Sequence, residues 1–321
     1  MSAPTISPFN STDAALRVSV RGVVQGVGFR PFVHRLAQRL ELRGWVRNGS
    51  GDVQIHIEGA QDKVDECVHA LRAKAPPLAR IDDLFSESCA PVDLHTFAIL
   101  ESTAHAAQRQ PVSPDVALCA ACEAGLFDPA NRRYRYPFIT CTDCGPRFTV
   151  IESMPYDRER TSMRAFQQCP SCSLEYRTPG DRRFHSETNS CAVCGPRVWM
   201  EGTSPPDPLS TLSRGGTAVE DAAQLLRDGK IVAIRGLGGF HLAVDATDEQ
   251  AVAPLRARKN REAKPFAIMV RTLAEARELA EIDATEAELL TSRERPVVVL
   301  RRRPEGALAR RVAPCLGSVG I

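Results

Sequence analysis

Eight of the eleven cysteines in this 321-residue chain fall in four Cys-x-x-Cys pairs, Cys119/Cys122, Cys141/Cys144, Cys169/Cys172 and Cys191/Cys194. Eighteen residues separate the two pairs of each half, and every cysteine of the first half reappears fifty residues later. The residues between them repeat as well: Pro129, Arg132, Arg133 and Tyr134 return as Pro179, Arg182, Arg183 and Phe184, and Gly145-Pro146-Arg147 as Gly195-Pro196-Arg197. Two thiolates per pair and four per copy fill a tetrahedral shell. The pattern therefore predicts two closed structural zinc sites with no coordination position left open for catalysis. Arg132, Arg133 and Arg135 in one copy, and Arg182 and Arg183 in the other, would offset the thiolate charge. The repeat gives Cys119, Cys122, Cys141 and Cys144 one ion and the later four another, with interleaved pairing as the alternative. Redox-active dithiols are the competing chemistry, but no βαβ setting surrounds these pairs. His185, six residues before Cys191, is read as a packing or surface residue because its copy already has four thiols.

A second constellation lies near the start, where Val24-Gln25-Gly26-Val27-Gly28-Phe29-Arg30 links an alternating strand to a helix. Consecutive N–H groups in such a glycine-rich turn form an anion-binding nest, aided by the helix dipole. Arg30 adds a planar fork that matches phosphate. Without more, the turn is equally a tight connection, and Asn48 in Asn48-Gly49-Ser50-Gly51-Asp52 is equally a hairpin residue. A third constellation is cationic: Lys259, Arg261 and Lys264 stand within six residues of one another beside a helix end, a candidate triphosphate cradle or a solvated surface cluster.

The elements that must position these groups are legible in outline. Leu16, Val18 and Val20 alternate with polar residues as in a half-buried strand, and Val33, Leu36, Ala37 and Leu40 follow Pro31 at helical spacing. Gly44–Arg47 and Val53–Ile57 form a hairpin, a second helix runs over 61–74, and 81–89 and 95–100 look like strands. The order β-α-β-β-α-β describes a ferredoxin-like sandwich. Residues 202–215 read as a Pro/Ser/Gly linker. Beyond them, strands 231–234 and 240–244 alternate with helices, one ending at Gly229 and one over 248–258, as in an α/β domain. The domains are expected at 15–101, 115–200 and 216–321, an α+β multidomain chain.

A net charge of +2 is too small to imply a polyanionic partner. Ten arginines against six acids in 131–185 are a modest excess, so double-stranded RNA or DNA is not an expected partner. Met1–Thr12 lacks the basic start and apolar run of a signal peptide, and no apolar stretch approaches a membrane span, so a cytoplasmic location is expected. There, paired cysteines favour metal over disulfides. Cys67 shares a helical face with Val64, Val68 and Leu71, whereas Cys89 and Cys315 have no evident partner.

Arg21-Gly22-Val23-Val24-Gln25-Gly26-Val27-Gly28-Phe29-Arg30, followed by Gly44-Trp45-Val46-Arg47-Asn48, closely resembles the acylphosphatase signature. The resemblance implies metal-free hydrolysis of acyl phosphates, with Arg30 and the amides of Gln25, Gly26, Val27, Gly28 and Phe29 holding phosphate. Asn48 would orient the attacking water. Arg258-Lys259-Asn260-Arg261-Glu262-Ala263-Lys264-Pro265-Phe266-Ala267 resembles YrdC-type domains, relatives of threonylcarbamoyl-adenylate synthases. It implies that Lys259, Arg261 and Lys264 contact ATP phosphates or carbamoyl oxygens. The three parts in this order are similar to the HypF family, carbamoyltransferases of [NiFe]-hydrogenase maturation. That resemblance implies carbamoyl phosphate and ATP as substrates, two zinc ions, and HypE as the carbamoyl acceptor. Because the YrdC-like part lacks its later strands and a transfer domain is absent, acyl phosphate hydrolysis alone is expected of this chain. Two other classes compete: a free-standing acylphosphatase with scaffold domains, and a zinc-dependent nucleic-acid binder.

Overall fold

Period-two burial in the first strand sets the architecture of the N-terminal part: Val18 and Val20 are buried while Arg17 and Arg21 are exposed. The structure, a computed structural model, describes residues 13–103, 111–201, 216–236 and 238–321. The expected linker 202–215, Leu237 of the glycine-rich loop and the segment Met1–Thr12 lie outside the described residues. Strand β1 (Asp13–Val23) leads through the glycine turn into helix α1 (Phe29–Arg39), followed by β2 (Arg43–Asn48), β3 (Val53–Ala60), α2 (Gln61–Ala73), β4 (Arg80–Ser88) and a short β5 (Phe97–Ile99). The five strands form one sheet in the order β4-β1-β3-β2-β5, antiparallel except for β2 with β5. Val18, Val20, Val46, Ile55 and Ile57 pack against Val33, Leu36, Val64 and Leu71 of the two helices. Each such side chain, fully buried, contributes about 1.5–3 kcal/mol. The core thus fixes the loop between β1 and α1 and the end of β2, the two places from which Arg30 and Asn48 project.

The cysteine module has little regular structure. Its copies begin alike, α3 (Ala120–Phe127) directly after Cys119 and α4 (Pro170–Arg177) directly after Cys169. Between them run three short 3-10 turns and a cis Met154–Pro155 bond. This module and the ferredoxin-like sandwich form one compact unit that ends at Pro196.

A second unit comprises Arg197–Ile321. Helix α5 (Gly216–Arg227) precedes the hairpin of β6 (Val232–Gly236) and β7 (Gly239–Ala243). Helix α6 (Glu249–Arg258) is capped by Asp248, whose carboxylate accepts from the Gln250 and Ala251 N–H groups. Then come α7 (Leu273–Leu279), β8 (Ala280–Glu281), α8 (Ala284–Thr291), β9 (Val299–Arg302) and β10 (Ser318–Gly320). Helices and strands alternate as expected, yet every strand pairing described in this unit is antiparallel. Only the isolated bridge Ala267↔Gly320 is parallel. Among the described residues, no helix is long and apolar enough to cross a membrane.

Candidate active site

The turn predicted to bind an anion is built on two left-handed glycines. Gly26 and Gly28 both have φ of 75°, which an L side chain rarely adopts, and Gly28 caps the start of α1. They also allow a close approach. A Cβ on Gly26 would lie 3.2 Å from the Pro146 ring, and one on Gly28 would lie 3.0 Å from the Thr142 Cβ. The cysteine module therefore rests directly on the loop.

It meets the loop through the segment Tyr156–Asp157 and through Glu187. The Gln25 side chain donates to the Gly49 and Asp52 carbonyls at 3.0 and 3.1 Å, and its Oε1 accepts the Tyr156 N–H at 2.9 Å. The Tyr156 carbonyl in turn accepts from Asn48 Nδ2 at 3.0 Å and from Arg30 Nη2 at 3.2 Å. Two carboxylates complete the shell: Arg30 Nη1 donates to Asp157 Oδ1 at 3.0 Å and Nη2 to Glu187 Oε1 at 2.9 Å. Glu187 is itself fixed, accepting from the Tyr176 hydroxyl at 3.0 and 3.2 Å and from the Arg158 N–H at 3.2 Å. Burial alone would lower the Arg30 pKa, but Glu187 and Asp157 outweigh it, so the guanidinium is held charged. Burial pushes the Glu187 carboxyl up, and the adjacent Arg30 charge and the Tyr176 and Arg158 hydrogen bonds favour its carboxylate form.

Arg30, Asn48, Gly26, Gly28, His185 and Glu187 line a cavity of about 20 Å³. That is room for about one water, and an acyl phosphate enters only if the walls give. Asn48 is fully buried, and with Nδ2 committed to Tyr156 its Oδ1 has no protein partner. An acceptor in that position suits a water that donates one proton to it and turns a lone pair elsewhere. Phe29 is core, packed on Phe32 at 5.8 Å. His185 packs against Tyr176 and Phe184 and is pushed down to about 4 by burial, Arg30 and His34. It is a packing residue, as expected, but one in the wall of the site.

The eight cysteines gather as Cys119, Cys122, Cys141 and Cys144 in one cluster and Cys169, Cys172, Cys191 and Cys194 in the other. The order is sequential, not interleaved. Five of the Sγ–Sγ separations lie between 3.6 and 3.9 Å, and all those within each cluster are within 4.8 Å. Four thiolates at Zn–S bonds of about 2.3 Å define a tetrahedron with edges of about 3.8 Å, whereas a disulfide needs about 2.05 Å. The clusters fit two structural zinc ions. The arginines, by contrast, cross between copies. Arg132 and Arg133 of the first donate to Cys172 Sγ and Glu175 of the second, and Arg182 of the second donates to Cys122 Sγ at 2.6 Å. Burial would raise the Glu175 carboxyl, but bonds from Arg133 and Arg132 draw it down to about 2. Reciprocal exchange of charge ties the two metal centres into one body.

The cationic constellation is differently placed. Lys259 and Lys264 are exposed and Arg261 half-buried, its guanidinium 5.9 Å from the Phe266 ring. The loop is shaped by a residue that sequence reasoning passed over. Arg256 lies 4.6 Å over Phe266 and donates to the carbonyls of Arg261, Lys264 and Val312. Of the unpaired cysteines, Cys67 is core and pushed up to about 12 by burial. Cys89 has a partner after all, His56 Nδ1 at 3.6 Å, and Cys315 is exposed.

Comparison with known proteins follows these parts. The Acylphosphatase family model matches residues 16–99, the HypF finger residues 118–151 and 169–201, and the Sua5/YciO/YrdC model described as Telomere recombination residues 224–321. Carbamoyltransferase HypF2 of Cupriavidus necator is 53% identical over 324 residues, covering 98% of this chain and 39% of that protein. A crystal structure of full-length HypF in the phosphate- and nucleotide-bound form superposes with a TM-score of 0.88 at 40% identity, over 99% of this chain and 40% of that one. An acylphosphatase of Thermotoga maritima is 38% identical over 86 residues, which are 26% of this chain and 94% of the relative. That relative has no length left for a cysteine module. The chain spans about two fifths of its full-length relatives, and with acylphosphatase, paired finger and Sua5/YrdC parts in this order it belongs to the HypF family.

Proposed function

We propose that this chain binds and cleaves an acyl phosphate at the Gln25–Arg30 loop, as the first step of a HypF-type carbamoyltransferase acting in hydrogenase maturation. One observation carries the reading: a buried, charged Arg30 and a buried Asn48 with a spare acceptor converge on one cavity at the mouth of the glycine turn. The loop amides and Arg30 hold the phosphoryl oxygens. Asn48 Oδ1 takes a hydrogen bond from water, whose oxygen attacks phosphorus. The P–O bond to the acyl group breaks, leaving phosphate and a carboxylate, which is carbamate when carbamoyl phosphate is the substrate. Zinc takes no part in these steps. It would be held by the two four-cysteine clusters and supply folding energy.

ATP would serve as the second substrate, with Lys259, Arg261 and Lys264 on its phosphates and carbamoyl adenylate as the product. HypE would be the eventual acceptor, and reduced cysteines suit a cytoplasmic setting. The test is release of phosphate from carbamoyl or benzoyl phosphate. Arg30→Ala should lower kcat/KM by about 10³-fold, the scale of removing a preorganised anion contact. Arg30→Lys, which keeps the charge and loses the fork, should also be strongly impaired. Wild-type rates in both would overturn the assignment.

A further inference from the structure

The terminal nitrogens of Arg30 are occupied by groups that lie outside the ferredoxin-like sandwich. Nη1 serves Asp157, and Nη2 serves Glu187 and the Tyr156 carbonyl. All three acceptors belong to the cysteine module, 126 to 157 residues away in sequence. The acylphosphatase of Thermotoga maritima is matched over 94% of its length by 86 residues of this chain, which leaves that relative no length for a corresponding cysteine module. Here the end-on fork of the guanidinium, the edge that recognises phosphate, is already engaged by carboxylates.

We propose that Glu187 is a positioning residue of the acyl phosphate site: mounted in the cysteine module, it aims the Arg30 guanidinium at the cavity and balances its charge until a phosphoryl group takes the fork over. This deepens the acyl phosphate reading and rests on it. Glu187 is suited to the task because it is fixed from behind. It is 3% exposed, the Tyr176 hydroxyl spans both its oxygens, and Arg158 donates to its carbonyl at 2.6 Å as well as to its carboxylate through N–H. Burying so many polar groups for packing alone would be costly, since apolar residues of the same size serve as well. The same unit steadies the other half of the site, because the Tyr156 carbonyl fixes which way the Asn48 amide faces.

Two effects of opposite sign follow when the charge is removed and the shape kept. A misaimed guanidinium slows the chemical step, for which displacement by about 1 Å costs up to about 10²-fold. Loss of a negative charge within 3 Å of the guanidinium strengthens ground-state binding of an anion. Glu187→Gln in the full chain, with zinc content and melting temperature checked, should lower kcat on benzoyl phosphate 10- to 100-fold while binding inorganic phosphate severalfold more tightly by calorimetry. In an Arg30→Lys background the same substitution should change kcat by less than threefold, because Glu187 acts through that fork. A merely structural role would weaken rate and phosphate binding together, and that result would overturn the proposal. So would an equal loss of rate in both backgrounds. If the wild-type chain hydrolyses no acyl phosphate, the function assigned above fails. The phosphate titration still decides this one, and an affinity unmoved by Glu187→Gln sinks it.

Discussion

Family resemblance gives Arg30 a phosphate and Lys264 a phosphate or a carbamoyl oxygen, and the protein treats the two cations in opposite ways. Arg30 is buried, with each terminal nitrogen committed and its charge secured by Glu187 and Asp157. Lys264 is exposed, as is Lys259, and only Arg261 of that group has part of its side chain covered. A buried guanidinium needs counter-charges because desolvation without them is prohibitive. Once they are present, its direction is fixed before any ligand arrives. An exposed ammonium keeps its hydration and its rotamer freedom, and stays cheap to hold and imprecise. The contrast is between a guanidinium whose direction is already set and a cationic edge ordered chiefly through its backbone, by Arg256 bonding to the carbonyls of Arg261 and Lys264.

The largest expected effect separates the two directly. Arg30→Ala should remove about 10³-fold of acyl phosphate hydrolysis. A wild-type rate would dissolve the contrast at once. Next comes metal removal. Chelation should release about two zinc ions per chain, and the rate of hydrolysis should fall at least about tenfold, since Tyr156, Asp157 and Glu187 are all carried by the module that the metals fold. Zinc content and phosphate release followed together would show it. An apoprotein that keeps full activity would mean the sandwich works unaided.

What could be read from the sequence, and what could not, divides along the same line. The eight cysteines announce themselves by type and local spacing, the glycine turn, Arg30 and Asn48 stand out through their resemblance to the acylphosphatase signature, and the β-α-β-β-α-β order follows from periodicity. Tyr156, Asp157 and Glu187 carry no motif, and they reach the site only through contacts spanning more than a hundred residues. One signal was present. Where the first copy of the repeat has Tyr136-Pro137-Phe138-Ile139-Thr140, the second has Ser186-Glu187-Thr188-Asn189-Ser190, and all five of these polar residues are buried. A duplicated scaffold that becomes polar in one copy has acquired different neighbours: Ser186, Glu187 and Thr188 line the cavity at the glycine turn, and Asn189 and Ser190 receive Arg133 of the first copy. The exchange of arginines between copies escaped for a related reason. Repeat spacing says which residues correspond, and says nothing of whether they act on their own copy or on the other.

Enclosure also predicts a pH response on one side of the comparison. His185, in the cavity wall, is pushed down from 6.5 to about 4 by burial, Arg30 and His34. A depressed pKa means that its contribution to stability is complete above 6.5 and is lost as pH falls through about 4. The shift corresponds to on the order of 3 kcal/mol. His185 has φ of 50°, a conformation asparagine tolerates, so His185→Asn is the conservative probe. The variant should be the less stable at pH 7, through lost packing on Tyr176 and Phe184. The gap should narrow steadily between pH 6.5 and 4, because the unfolded wild type gains a proton on His185 that the folded protein, with the imidazole buried beside Arg30, does not take up until about pH 4. Melting temperatures of both proteins across that range would check it, and a constant gap would mean the histidine is solvated.

The smallest effect belongs to the open side. A single exposed charge meeting a phosphate in water contributes on the order of 0–1 kcal/mol, so Lys264→Ala should weaken ATP binding by less than about fivefold. Because that contact is a screened point charge, the difference between variant and wild type should shrink as salt is raised from about 0.05 to 0.5 M, where the Debye length falls below the reach of the side chain. The Glu187→Gln effect on phosphate, set in a buried shell, should survive the same titration, since buried pairs are screened far less. Calorimetry at the two ionic strengths would measure both. A salt-resistant loss of tenfold or more at Lys264 would mean that this lysine closes over its ligand in a desolvated pocket, and the two cationic sites would then differ in timing, one built before its ligand arrives and the other built by it.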